Sequence, residues 1–228
     1  MALVVVAFSL GRVSLSSDEA PASDQTQEEV ADAEADAPGD EIREEVSIDG
    51  QLFSADDLTL QDHAGVPLLP FSAEHGPHED QGGWVREFSR TPQGALLAGA
   101  HIYMQSANSA DLPPEAIQES LNNQIIGEHS TTFISESMER DFEPDPNREY
   151  VRIEAYKYHE YNDNEAVFEM TVANLEPGTE EVAIRVSVLV SMGWRDGDWR
   201  FYVPEDMMGE ARIIDSLEGF EFLPGFGE

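Results

Sequence analysis

Apolar positions along the chain change their spacing once, near residue 150, and that change sets the expected fold. Leu96, Gly99, Ala100, Tyr103 and Ala107 recur three and four apart, the spacing of one helical face. Thr91 precedes them with a hydroxyl suited to an N-cap, and Pro92 suits the first helical position, where a missing N–H costs nothing. The small members of this face are expected to let the helix approach a sheet closely, offsetting the poor helix propensity of Gly94 and Gly99, up to about 1 kcal/mol each. A second helix is predicted in "DLPPEAIQESLNNQII", with Ile117, Leu121 and Ile125 at four-residue steps and Gly127 at its end. A third is predicted in "TTFISESMERDF", with Ile134, Met138 and Phe142 in line and Pro144 as the stop.

Beyond "EPDPNRE" the period drops to two, as in half-buried antiparallel strands. "YVRIEAYKYHEY" sets Val151, Ile153 and Ala155 against Arg152, Glu154 and Tyr156. "AVFEMTVA" sets Ala166, Phe168, Met170 and Val172 inward, with Glu169 and Thr171 outward. "EVAIRVSVLVSMGW" repeats Val182, Ile184, Val186, Val188 and Val190. In "GWRDGDWRFYV", Asp196-Gly197 suits a type I′ turn, after which Trp199, Phe201 and Val203 alternate. "MMGEARIIDSLEGF" is expected as a short terminal helix. The prediction is an α+β domain over residues 84–228: two or three helices on a curved, cone-like antiparallel sheet of about four strands.

Residues 50–83 read as an irregular lead-in, with one short strand in "DGQLFSADDLTL" and a proline- and glycine-broken stretch after it. Residues 16–49 hold thirteen acidic residues, one arginine and no aromatic side chain. Such a stretch buries too little surface to offset the entropy of ordering and is expected as a disordered acidic spacer. Residues 1–15 begin "MALVVVAFSL", an apolar run shorter than the roughly 20 residues of a spanning helix. It reads as a truncated membrane anchor or a signal segment, "APA" at 20–22 having the small-x-small form of a cleavage site. An ordinary buried start is the alternative.

The 228 residues carry a formal net charge of −35, with 47 acidic side chains against 12 basic, and Lys157 is the only lysine. That charge repels phosphate backbones and argues against direct nucleic-acid binding. Cysteine is absent, which removes thiolate chemistry, disulfides and a lipid-bearing cysteine.

Candidate chemistry is sparse. "EHGPHED" gathers Glu74, His75, His78, Glu79 and Asp80, but a glycine-proline loop sets no ligand geometry. Asp141, Glu143, Asp145, Asn147 and Glu149 alternate as in a calcium loop, yet Pro146 and Arg152 stand where an EF-hand needs glycine and glutamate. His101 and His159 are lone histidines with no carboxylate partner at a recognisable spacing, read as structural rather than as acid-base groups. Met170, Met192, Met207 and Met208 read as core fillers. There is no P-loop, dinucleotide fingerprint or nucleophile elbow. No catalytic, cofactor-binding or metal-ligating set is expected, and no partner-binding residue is named.

The helix–helix–strand order looks like the nuclear transport factor 2-like cone. "GPHEDQGGWVREFSRTPQGALLAGAH" (residues 76–101) and "GWRDGDWRFYVPED" resemble an uncharacterised actinobacterial domain associated with integrative and conjugative elements. The likeness covers roughly residues 63–225. It implies a membrane helix, a low-complexity spacer and an extracytoplasmic cone related to inner-membrane scaffold subunits of type IV secretion and conjugation channels. The implied partners are other subunits of a membrane transfer complex, with membrane attachment through the N-terminus and a possible homo-oligomer. A secreted acidic protein without a transfer role is one alternative. An isomerase-type enzyme or small-molecule binder using the cone interior is another.

Overall fold

A computed structural model describes residues 48, 50–108, 112–139, 151–203 and 211–226. The expected anchor, the acidic spacer up to residue 47, the calcium-like alternation at 141–149, Phe142 and Met207–Met208 lie outside the described residues.

The chain runs β1 (Thr59–His63), β2 (Val66–Phe71), β3 (Glu79–Asp80), β4 (Val85–Arg86), α1 (Pro92–Asn108), α2 (Pro114–Gln124), β5 (Ile125–Ile126) and α3 (Ser130–Met138). Then follow β6 (Val151–Asn162), β7 (Glu165–Leu175), β8 (Val182–Arg195), β9 (Asp198–Tyr202), β10 (Ala211–Ile214) and β11 (Glu221–Phe222). β6, β7, β8 and β9 are the four predicted strands, paired antiparallel in sequence order. They form the centre of a larger, mixed sheet of seven strands, ordered β11-β6-β7-β8-β9-β5 with β10 also on β8. β5 joins β9 in parallel. Two-stranded sheets β1-β2 and β3-β4 complete the α+β fold.

Three expectations change at the sheet. Among the described residues of the expected terminal helix, "ARII" instead forms β10 on the edge of β8, and beyond it β11 pairs with β6. Long strands leave rows of unpaired backbone groups beyond β9, and covering them outweighs the weak helical period of this segment. α2 stops at Gln124, because Ile125 and Ile126 are taken up by pairing with Phe201 and Tyr202. In β6 a register shift between Ile153 and Ala155 reverses the alternation. Ile153 faces Val172, but Tyr156 then shares the core row of Met170, while Ala155 moves to the outer row of Thr171. Tyr156 therefore points inward, its hydroxyl accepting the Leu52 amide at 2.8 Å.

The lead-in is more ordered than expected. Its hairpin β1-β2 packs on α1 and also touches β6 of the large sheet, and Phe53, Leu58, Val66 and Leu69 are buried. α1 accordingly packs against this hairpin as well as against β7, β8 and β9. It buries not a single face but every side chain from Ala95 to Ala98 and from Ala100 to Gln105. In α3 the buried residues are Phe133 and Ser137, while Ile134 and Met138 are half-buried.

The start of α1 follows the predicted cap: the Gly94 amide donates to Thr91 Oγ1 at 3.1 Å and the Ala95 amide to Thr91 O at 2.9 Å. Its two glycines have separate reasons. A Cβ on Gly99 would lie 2.8 Å from Phe168 Cζ and 3.2 Å from Val190 Cγ1, so this glycine lets the helix sit directly on β7 and β8. A Cβ on Gly94 would lie 2.0 Å from the carbonyl oxygen of Ser89, a backbone atom of the capping turn. Backbone yields less readily than a side-chain tip, so Gly94→Ala is expected to destabilise by about 2 kcal/mol or more, in the upper range of overpacking substitutions. Gly99→Ala is expected to cost less, since Phe168 can tilt away. Urea unfolding followed by circular dichroism checks the order.

Candidate functional site

The fold disperses the residues that crowd together in "EHGPHED". His75 Nδ1 lies 3.1 Å from Ser89 Oγ and 3.3 Å from Thr91 Oγ1, against the capping turn of α1. Glu79 pairs with Arg86 at 3.2 Å across β3-β4. Asp80 pairs with His63, 3.1 Å away on β1. Among the described residues no group of three or more His, Asp or Glu side chains is placed to hold a metal ion.

His63 and Asp80 line a cleft of about 190 Å³ together with Gln61, Phe71, His78 and Val85. The hydrogen bonds define how this pair is set. Gln105 Nε2 donates to Gly83 O at 3.0 Å and lies 3.1 Å from His63 Nδ1. A carbonyl only accepts, so the Gly83 oxygen fixes which end of the Gln105 amide is nitrogen. His63 Nδ1 is then an acceptor, and Nε2–H donates to Asp80. Burial opposes ionisation of Asp80, but the Gly83 amide and His63 outweigh it, and its carboxyl is held below the usual range. Both ring nitrogens of His63 are thus engaged by protein groups.

His101 is fully buried on α1, with Nε2 2.8 Å from Pro70 O and Phe71 edge-on to its ring at 4.8 Å. Its carbonyl partner can only accept, so Nε2 carries the hydrogen. Burial pushes its pKa down to about 4, so the ring is neutral at physiological pH. It is a packed core histidine, as expected.

His159 does have a carboxylate partner. Its Nε2 lies 3.0 Å from Glu169 Oε1, and Glu169 Oε2 accepts from Ser187 Oγ at 2.5 Å and from Arg212 at 2.7 Å. The pair was hidden because it is a cross-strand contact between β6 and β7. The legible signal was the tight "NDNE" connection, which sets Lys157 opposite Glu169 and brings His159 close. The arrangement is not a nucleophilic triad: the carboxylate, not the histidine, stands between serine and histidine.

A second ion pair, Arg185 to Glu154, spans the same face from β8 to β6. Arg185 faces Ala173 directly, and Ala173 faces Arg152 beside Glu154, so this pair passes over Ala173 on β7. The partners of Glu169 give a physical reason for its departure from the expected exposure. Glu169 and Thr171 do face outward, yet they are 7% and 0% exposed. Burial works against ionisation of Glu169, but hydrogen bonds from Ser187, Arg212 and His159 prevail and keep its carboxyl below its ordinary range.

The two stretches that carry the resemblance meet in one corner. Asp198 accepts the amides of Glu87 at 2.8 Å and Phe88 at 3.1 Å, and the Trp199 indole N–H donates to Ser89 O at 2.9 Å. The guanidinium of Arg90 lies 5.4 Å from the centre of the Trp194 ring and donates to Asp163 O and Asn164 Oδ1. The β8-β9 hairpin therefore clamps the turn that starts α1.

Over residues 18–221 the chain matches the family described as Domain of unknown function (DUF8175). It belongs to that family. The matched region takes in most of the acidic stretch as well as the folded domain, so the DUF8175 family pattern includes both. Comparisons with curated proteins and with solved structures gave no match. In this DUF8175 chain the motif corner has a structural task, and the rings of His63, His75, His101 and His159 are engaged in internal hydrogen bonds. No helix of the described residues is long and apolar enough to cross a membrane.

Proposed function

We propose that this chain is a non-catalytic, extracytoplasmic scaffold component of a conjugative transfer apparatus of the type IV secretion kind, tethered to the membrane through its N-terminal segment. The observation that carries the non-catalytic part is the filled interior. α1 is buried on all sides against the hairpin and the large sheet, with Gly99 in direct contact distance of Phe168 and Val190. An enzyme of the cone type needs an apolar cavity with an ionisable group at its base, and α1 occupies that space here. His101, fully buried on α1, is neutral and hydrogen-bonded to backbone.

The conjugative part rests on the resemblance carried by residues 76–101 and by "GWRDGDWRFYVPED". In this reading the sheet is the bent sheet of a cone, the acidic segment is a spacer, and the partners are other subunits of a membrane complex. The net charge of −35 favours protein partners over nucleic acid.

The test is crosslinking in cells of a C-terminally tagged chain expressed from its native locus, with membranes and medium collected separately and captured proteins identified by mass spectrometry. Recovery from membranes with channel or transfer-ATPase subunits is expected. Recovery alone and free in the medium rejects the scaffold role and favours a secreted acidic protein.

A further inference from the structure

We propose that the gap between α1 and α2 is a binding site for one ordered water molecule, held by Gln105, Ser120 and Gln124. The gap has about 10 Å³ of room and is closed on its apolar side by Ile102, Leu112 and Leu121. Apolar residues are ordinary at such a contact, but three buried polar side chains within it need a reason, because each must keep its hydrogen bonds to be tolerated there. Most of those bonds are made inside the protein. Gln124 Nε2 donates to Val85 O at 2.8 Å, and Ser120 Oγ donates to Gln124 Oε1 at 2.6 Å. Gln105 spends both of its N–H groups on Gly83 O and His63 Nδ1.

One group is left over. Gln105 is 3% exposed, and its Oε1 has no hydrogen-bond partner. Turning the amide over does not help, since it would set oxygen against the Gly83 oxygen. The gap has room for about a single water molecule, the lower limit for holding one. A water there donates to Gln105 Oε1. Its second hydrogen goes to a free lone pair of Ser120 Oγ or Gln124 Oε1, and it accepts the remaining N–H of Gln124. With three polar partners it matches the usual coordination of a buried water. It also gives the polar residues a shared role. α1 is tied through Gln105 and the water to α2, and through Gln124 and Val85 O to β4.

A crystal structure of the full chain, at a resolution that shows ordered solvent, is expected to place a water within hydrogen-bonding distance of Gln105 Oε1 and of Ser120 or Gln124. An empty gap, or a protein donor on Gln105 Oε1, overturns the proposal. Ser120→Thr supplies a test in solution, because it keeps the hydroxyl and adds one methyl group at the gap. If the gap holds water, the methyl displaces it, strands Gln105 Oε1 and lowers the urea midpoint. If the gap is dry, the methyl fills it, and an unchanged or raised midpoint rejects the site.

Discussion

Trp199→Ala is expected to cost about 3–5 kcal/mol, the range for removing a fully buried large aromatic. Trp199 is 2% exposed, packs edge-on to Trp194 at 5.3 Å and lies 6.1 Å from the Tyr161 ring. Its indole N–H also holds Ser89 O. That carbonyl is the atom a side chain on Gly94 would strike, so Trp199 and Gly94 act on the same turn from two sides. Removing the indole leaves a cavity between β9 and the start of α1 and frees the capping turn. Against the roughly 5–15 kcal/mol by which domains of this kind are stable, that loss is a large share of the total. Trp199→Phe separates the contributions: it keeps most of the packing and deletes the hydrogen bond, for about 1 kcal/mol plus a smaller packing loss. Urea unfolding followed by far-ultraviolet circular dichroism avoids the change in fluorophore. A cost for Trp199→Ala no greater than that for Trp199→Phe would show that the corner is not a packed clamp.

Acidification is expected to remove about 3 kcal/mol of stability through His101 alone. Its pKa falls from 6.5 in the unfolded chain to about 4 when buried, and each unit corresponds to about 1.36 kcal/mol. The folded value is the lower one, so between these limits the unfolded chain binds the extra proton. The stability is fully present above pH 6.5 and declines as pH falls toward about 4. By pH 5 the loss is about 2 kcal/mol. His101→Gln retains an N–H for Pro70 O but cannot take up a proton. Carboxylates contribute to the acid response of both proteins, so the difference between them isolates His101. Measured by urea unfolding at pH 7 and pH 5, wild type is expected to lose about 2 kcal/mol more than the variant. Equal losses would mean that protonated His101 reaches water or an acceptor in the folded state.

The fate of the histidines illustrates where local reading ends. His101 lies off the predicted apolar face of α1, and it is buried because α1 is covered on its other sides as well. His159 stands on a strand whose period was legible, but its partner Glu169 depends on a cross-strand register adjusted by a bulge between Tyr158 and Glu160. His63 is unremarkable in sequence, and only the docking of β1 beside β3 brings it to Asp80.

What the sequence determined by itself is local: the Thr91 cap and Pro92 start of α1, the four long or hairpin strands, and the Asp196-Gly197 turn, whose φ values of 52° and 84° are those of the predicted type. These follow from backbone preferences and from side chains acting within a few residues. The α+β class follows too, because the change from helical to strand period is long and regular. Tertiary structure alone decided the rest. "ARII" is too short and too weakly patterned to choose its own state, and the open edge of β8 made it a strand. Tyr156 turned inward because a bulge moved it to the row of Met170. Glu169 was covered because Arg212 from β10, Ser187 from β8 and His159 from β6 converge on its carboxylate. α1 was buried all round because a hairpin from the lead-in packs on it in addition to the large sheet. In each case the deciding energy comes from groups far apart in the chain, and no window along the sequence contains both partners.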